Sequence, residues 1–224
     1  MFLTNSFCYL EMMRSGSTHI HKLLKKYIPE GEQIGHHGPA SDKILKSDRV
    51  FVGSIRNPWS WYLSVWSFGC ENGGHLHYRL THKKIYFDQL GFKIKPYLFL
   101  YVFFQQFLKP LEKWRELFSD SDDKKNFQEF LKLILSNKRI YDVGDGYAFS
   151  PISKFSGIMT FYYLLLHTNH KNKIFSNQVN TFEKMKEFDR KKNFLNSIIK
   201  NENLENDLFK FLRKMKINIP ENDK

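Results

Sequence analysis

The apolar positions change period along the chain, and each change predicts an element. Ser6 to Leu10 reads as a short strand. After a polar loop, Arg14-Ser15-Gly16-Ser17-Thr18, the residues Ile20, Leu23, Leu24 and Tyr27 fall at i, i+3, i+4 and i+7. That is the stripe of an amphipathic helix, which Pro29 and Gly31 end. Val50 to Ile55 is a nearly continuous apolar run, the pattern of a parallel strand covered on both faces, with Arg56 at its exit. Asn57 is a favoured N-cap and Pro58 a favoured first helical residue, so a helix is predicted from Pro58 through Phe68, stopped by Gly69. Residues 70–98 contain Gly73-Gly74 and three histidines without clear periodicity, and read as a long loop or lid. Further helices are predicted over Phe99 to Phe118, interrupted by Pro110, and over Phe127 to Asn137 and Ser156 to His167. Ser197 to Lys200 reads as a strand, and Leu204, Leu208, Phe211, Leu212 and Met215 as one face of a closing helix. Strand followed by helix, repeated, predicts an α/β fold in one domain spanning residues 1–224.

Composition narrows the class. A chain of 224 residues, 42% of them apolar, can bury about 70% of the surface its unfolded form exposes without a disulfide framework. Its two cysteines, Cys8 and Cys70, fit a reducing compartment. No signal-peptide pattern follows Met1, and the longest apolar stretch, Tyr97 to Phe104, is far shorter than the roughly 20 residues a bilayer span needs. A cytoplasmic protein without a membrane span is therefore expected. The net charge of +12 divides as +3, +4 and +5 over residues 1–69, 70–118 and 119–224, with no basic tail. Such a surface concentrates anionic ligands without choosing between nucleotide, sulfated glycan and nucleic acid.

Two segments look built for anions. A strand running into a Gly-containing turn and then a helix presents unpaired backbone N–H groups at the positive end of a helix dipole. Here Arg14 adds a charge, Ser15, Ser17 and Thr18 add hydroxyls, and Gly16 permits close approach. The pattern G-x-x-x-x-G-K-[ST] is absent, which disfavours ordinary ATP chemistry. Taken alone, the loop fits a structural turn with a capped helix equally well. The second segment is Arg56-Asn57-Pro58 with Ser64 eight positions after the arginine. Ser64 lies about 9 Å along the helix from Pro58, a gap that a long arginine side chain largely crosses. A salt bridge at the strand end and a solvated serine are the plain alternative. Both segments follow strand–helix units and would open at the carboxyl ends of parallel strands, where open α/β sheets bind ligands.

These residues resemble the sulfotransferase family, whose members use 3′-phosphoadenosine 5′-phosphosulfate as donor. Arg14-Ser15-Gly16-Ser17-Thr18 is similar to that family's 5′-phosphosulfate loop, and Arg56-Asn57-Pro58 with Ser64 to its 3′-phosphate motif. His37-Gly38-Pro39 is similar to the His-x-Pro element that supplies the catalytic base in many members. Ile198-Ile199-Lys200-Asn201-Glu202-Asn203-Leu204, followed by Asp207, resembles a late strand-to-helix element. The resemblance implies a three-layer fold of the P-loop NTPase-like kind, with a central, mostly parallel sheet flanked by helices. It implies a small sulfotransferase of bacterial type, acting on a hydroxyl or amine of a small molecule or glycan.

In that reading Arg14, Ser15, Gly16, Ser17 and Thr18 bind the 5′-phosphosulfate, Arg56 and Ser64 bind the 3′-phosphate, and Arg14 stabilises the leaving group. The chemistry requires no metal. His37 is the first choice of base, His36 adjoins it, and Glu11, on the strand leading into the loop, is the fallback. At a strand end His36 and His37 would point to opposite faces. His75, His77 and His82 have no Cys or acidic partner at ligand spacing and read as a polar lid. The aromatic run Trp59, Trp61, Tyr62, Trp66 and Phe68 reads as helix core. Two other readings stay open. One is a basic module binding nucleic acid, although no helix-turn-helix, zinc finger or RNP-type signature is present. The other is a kinase-like phosphotransferase of P-loop fold.

Overall fold

A computed structural model describes residues 1–83, 96–169 and 171–220. Along the chain the elements are β1 (Phe2–Leu3), β2 (Phe7–Leu10), α1 (Ser17–Tyr27), β3 (Glu32–Gln33), α2 (Asp42–Leu45), β4 (Val50–Ile55) and α3 (Pro58–Cys70). They continue with α4 (His75–Thr81), α5 (Pro96–Phe107), α6 (Leu111–Leu117), α7 (Lys124–Ile134), α8 (Ile140–Val143) and α9 (Ile158–His167). After α10 (Phe182–Lys192) come β5 (Ser197–Lys200) and α11 (Leu204–Lys214). No helix among the described residues is long and apolar enough to cross a membrane. The chain divides into two compact units. The first comprises Met1–Trp61, Tyr162–Lys171 and Phe188–Lys224, and the second Tyr62–Phe161 and Asn172–Glu187.

The first unit holds a five-stranded sheet in the order β3-β1-β2-β4-β5. Its strands β2, β4 and β5 run parallel, whereas β1 and β3 extend it with antiparallel pairings, so the sheet is mixed. The antiparallel edge is local in origin. The Thr4 amide bonds the Phe7 carbonyl at 3.0 Å, folding β1 back on β2 through a tight turn. Along β2 the side chains alternate as a pleat requires. Phe7 and Tyr9 join a cluster with Ile20, Leu24, Leu208 and Phe211 from α1 and α11. Cys8 and Leu10 join a second cluster with Ala40 and Phe51. Burial on both faces is what the apolar run of Val50 to Ile55 predicts. Gly53 in β4 has a packing reason, because a Cβ there would stand 2.9 Å from the ring of His167 on α9. That ring is buried, and burial lowers its pKa to about 4.

Helix α3 passes through Gly69, the expected stop. It ends at Cys70 and is closed by Asn72, whose φ of 57° is left-handed, with the amides of Asn72 and Gly73 bonding the carbonyls of Gly69 (2.9 Å) and Phe68 (2.9 Å). Gly69 instead marks a close approach, since a Cβ would lie 2.4 Å from Cε1 of Phe118. The loop expected over residues 70–98 is replaced at 75–81 by α4, and residues 84–95 of that expectation lie outside the described residues. Pro110 separates α5 from α6 as expected. Helix α5 inverts the usual polarity. Its Gln106 is buried and donates to the Tyr141 carbonyl at 3.3 Å, while Leu100, Phe104 and Phe107 are exposed.

The second unit also buries charge. Arg79 pairs with Asp145 at 2.6 Å. Lys109 donates to the carbonyls of Arg79 (2.9 Å) and His82 (3.2 Å) at the end of α4, and burial pulls its pKa down to about 8. Trp114 donates to Asp142 at 2.9 Å. His77 packs edge-on to Phe118 and His82 stacks on Tyr78 at 4.3 Å, so these rings serve packing. Gly69→Ala is expected to lower unfolding stability by about 1–3 kcal/mol, because Phe118 must move to admit the methyl group. Urea denaturation of the two proteins checks this.

Candidate functional site

The site forms where β2 and β4 of the first unit end. Helix α1 begins at Ser17 behind Gly16, whose φ is 83°, and no side chain caps it. By contrast α2 and α7 are capped by Ser41 and Asp123. The N–H groups of the first helical turn have no intrahelical acceptor, so an uncapped start without an acidic residue keeps its attraction for an anion. A methyl group at Gly16 would stand 2.3 Å from Leu204 and 2.6 Å from Asn201 Oδ1, so the late strand-to-helix element closes over the loop and requires glycine there.

The loop is held from beneath by hydroxyls. Ser15 is fully buried and donates from Oγ to the Met12 carbonyl at 2.7 Å. Ser15 Oγ lies 2.6 Å from Ser54 Oγ, which lies 2.8 Å from the Tyr9 hydroxyl. Each hydroxyl has one proton, and that of Ser15 goes to Met12, so Ser54 donates to Ser15 and Tyr9 to Ser54. The Ser15 side chain is thus committed inward, and only its backbone faces the loop. Trp61, fully buried, adds a brace by donating from Nε1 to the Met13 carbonyl at 2.7 Å. The sequence pattern marks Trp61 as core without marking this bond.

The two arginines meet. Arg14, exposed and with φ 59°, offers its carbonyl to Nη1 of Arg56 at 3.4 Å. Arg56 Nε is buried without a hydrogen-bond partner, and no carboxylate pairs with Arg56 among the described residues. The salt bridge weighed as its plain alternative is therefore absent from the described residues. Asn57 accepts from the amide of Trp59 at 3.0 Å, the expected N-cap, and donates its own amide to Glu202 at 2.6 Å. Ser17 is buried, Thr18 is exposed, and Ser64 lies half-buried on the part of α3 that belongs to the second unit.

Beside the loop is a cavity of about 420 Å³, whose lining includes Glu11, Ser17, Thr18, His21, His36 and His37. His36 and His37 lie in a turn rather than at a strand end, with Gly35 at φ 58° and His37 at φ 51°. This corrects the expectation that pleating would turn them to opposite faces: both line the same cavity, with ring centroids 6.1 Å apart. His36 is exposed beside Gln33, whereas His37 places Nδ1 3.4 Å from the Glu11 carbonyl. A carbonyl only accepts, so Nδ1 has the proton and Nε2 is bare in the neutral ring. Burial lowers the His37 pKa, opposed by the charge of Glu11, which favours that neutral form near pH 7.

Glu11 is 3% exposed. Its Oε1 receives the Met1 amine at 2.9 Å and the His37 amide at 3.2 Å, and its Oε2 receives His21 Nε2 at 3.0 Å. Burial opposes its charge, but the hydrogen bonds from His21 and the amine outweigh that and hold its pKa down at about 2. So low a pKa, with both oxygens engaged, makes Glu11 a poor proton acceptor. The role of His21 escaped the sequence pattern; the signal for it was a carboxylate at the end of a fully buried strand, which demands partners.

Among the described residues no group of three His, Cys, Asp or Glu is placed to hold a metal ion. Comparison of the chain with protein families, with curated proteins and with solved structures found no match.

The depressed Glu11 pKa fixes the sign of a pH effect. Stability from this group is fully present above its unfolded value, near 4.5, and is lost as pH falls towards about 2. Urea unfolding at pH 7 should therefore find Glu11→Gln less stable than the unaltered chain by on the order of 3 kcal/mol. The gap should close as pH falls from 5 to 2.

Proposed function

We propose that the chain is a sulfotransferase that moves a sulfuryl group from 3′-phosphoadenosine 5′-phosphosulfate to a hydroxyl or amine of a small-molecule or glycan acceptor. The fold in this reading is of the P-loop-like kind, with β2, β4 and β5 as its parallel centre. The reading is carried by one observation: arginines from two adjacent strand exits meet, Arg56 on the Arg14 carbonyl, beside the uncapped start of α1. Arg56 also keeps a buried N–H unpaired, as a binding site for an anion should.

Arg14, the Ser17 and Thr18 hydroxyls and the first amides of α1 take the 5′-phosphosulfate, to which Ser15 and Gly16 contribute backbone. Arg56 takes the 3′-phosphate and so selects this donor over ATP. His37 Nε2 accepts the acceptor's proton as the acceptor atom bonds to sulfur. The bond from sulfur to the 5′-phosphate oxygen breaks, and Arg14 neutralises the charge that remains on that oxygen. The other product is 3′-phosphoadenosine 5′-phosphate.

Isothermal titration with 3′-phosphoadenosine 5′-phosphate should give tight binding, and AMP, which lacks the 3′-phosphate, should bind weakly. Arg14→Ala and Arg56→Ala should each weaken donor binding about ten- to a hundredfold, the loss of one charge-assisted contact. Near-normal turnover in both variants, or phosphoryl transfer from ATP, would overturn the assignment.

A further inference from the structure

We propose that Glu11 is the positioning residue of this site, its carboxylate and its carbonyl together holding the 35–38 turn so that His37 Nε2 faces the cavity. The proposal rests on the reading of His37 as the base and gives Glu11 a role distinct from proton transfer.

The turn needs an external hold. It places two residues in the left-handed region, Gly35 at φ 58° and the non-glycine His37 at φ 51°, and a non-glycine residue persists there only when its surroundings compensate. Glu11 holds it at two points. Its carboxylate accepts the His37 amide at 3.2 Å, which fixes the backbone, and its carbonyl accepts His37 Nδ1 at 3.4 Å, which fixes the ring and its tautomer. The carboxylate is itself immobilised by His21 Nε2 on Oε2 at 3.0 Å. His21 is reached from α1, the helix whose first turn forms the anion site, and Glu11 directly follows the strand that leads into the Arg14 loop. One buried side chain therefore ties the base to the helix that holds the donor. The other charged or titratable groups around His37 are His36 in the same turn, the Met1 amine, and His21, Lys22 and Lys25 on α1, which line the same cavity.

The test combines NMR titration of ¹⁵N-histidine-labelled protein with kinetics, comparing the unaltered chain, Glu11→Gln and Glu11→Asp. His37→Gln assigns the His37 signals. In the unaltered chain His37 should be a single tautomer protonated at Nδ1. Glu11→Gln removes the negative charge that raises the His37 pKa, so that pKa should move down and the acid limb of the rate profile should move with it. Glu11→Asp keeps the charge but withdraws it by one methylene, so it should mix the tautomers with little change in pKa. Both variants should lower kcat by about tenfold or more through misplacement of the base, with binding of 3′-phosphoadenosine 5′-phosphate within about twofold of normal. An unchanged His37 tautomer and pKa in both variants would overturn the proposal. So would total loss of turnover with unchanged His37 signals, which would make Glu11 the base. Were Glu11→Gln not to fold, Glu11→Asp alone decides on the tautomer. If the unaltered chain transferred no sulfuryl group, the reading of the enzyme would fail, and the NMR result would still report whether Glu11 sets the His37 ring.

Discussion

Glu11 is a carboxylate that the fold has taken out of water, and such a group is tolerated only when its lone pairs are met. Three segments meet them: α1 through His21, the 35–38 turn through the His37 amide, and the Met1 amine. Two of these contacts fall on Oε1 and one on Oε2, so the loss of any of them leaves a buried charge less well paired. The consequences run outward. Because His21 must reach Glu11, the position of α1 against β2 is fixed, and with it the uncapped helix start. Because the His37 amide must reach it too, the turn crosses the strand end in a conformation that it would not choose alone.

The register of the sheet sets where the two arginines emerge. Strands β2 and β4 pair in parallel with Leu10 opposite Gly53. Arg14 follows the first of these by four residues and Arg56 follows the second by three, so both leave the sheet at one edge. A slip of one residue would turn Tyr9 and Val52 away from their cluster. The hydroxyl chain from Tyr9 through Ser54 to Ser15 spans both strands and the loop and holds the same alignment with polar groups. It also explains a serine inside an otherwise apolar strand. Without Ser54, the buried Tyr9 hydroxyl would lose its acceptor and Ser15 its donor.

Much of the first unit was legible in the sequence because its elements obey one periodicity each. Val50–Ile55 and Ser197–Lys200 occur where the pattern placed them, and Asn57-Pro58 starts α3 by the expected cap. The misses have physical causes. Gly69 reads as a stop, yet a helix tolerates glycine where a neighbour, here Phe118, needs the space of a Cβ. Helix α4 begins directly after Gly73-Gly74, and its buried residues Leu76, Arg79 and Leu80 include a cation whose partner, Asp145, is 66 positions away in the chain, so no local pattern announces it. Helix α10 was hidden by its charge, since its apolar residues Phe182, Met185 and Phe188 form only a thin stripe. In the site, residue types were legible but allegiances were not. Ser15 looked like a ligand hydroxyl and is spent on the core, and His21, which no motif marked, is the counterpart of Glu11.

That difference in allegiance bears on how the two kinds of donor at the loop should be weighed. A hydroxyl already bonded on both sides contributes little to a ligand, because forming the new bond means giving up an old one. Backbone amides at an uncapped helix start have no competing intrahelical acceptor, and a guanidinium with an unpaired buried N–H gains by finding one. The donors that stay open at this site are therefore the first turn of α1 and the two arginines, with Ser15 acting through the shape it gives the loop. The hydroxyl chain and the Glu11 cluster then have complementary tasks on either side of that turn: one fixes the backbone of the loop, and the other fixes the imidazole beside it.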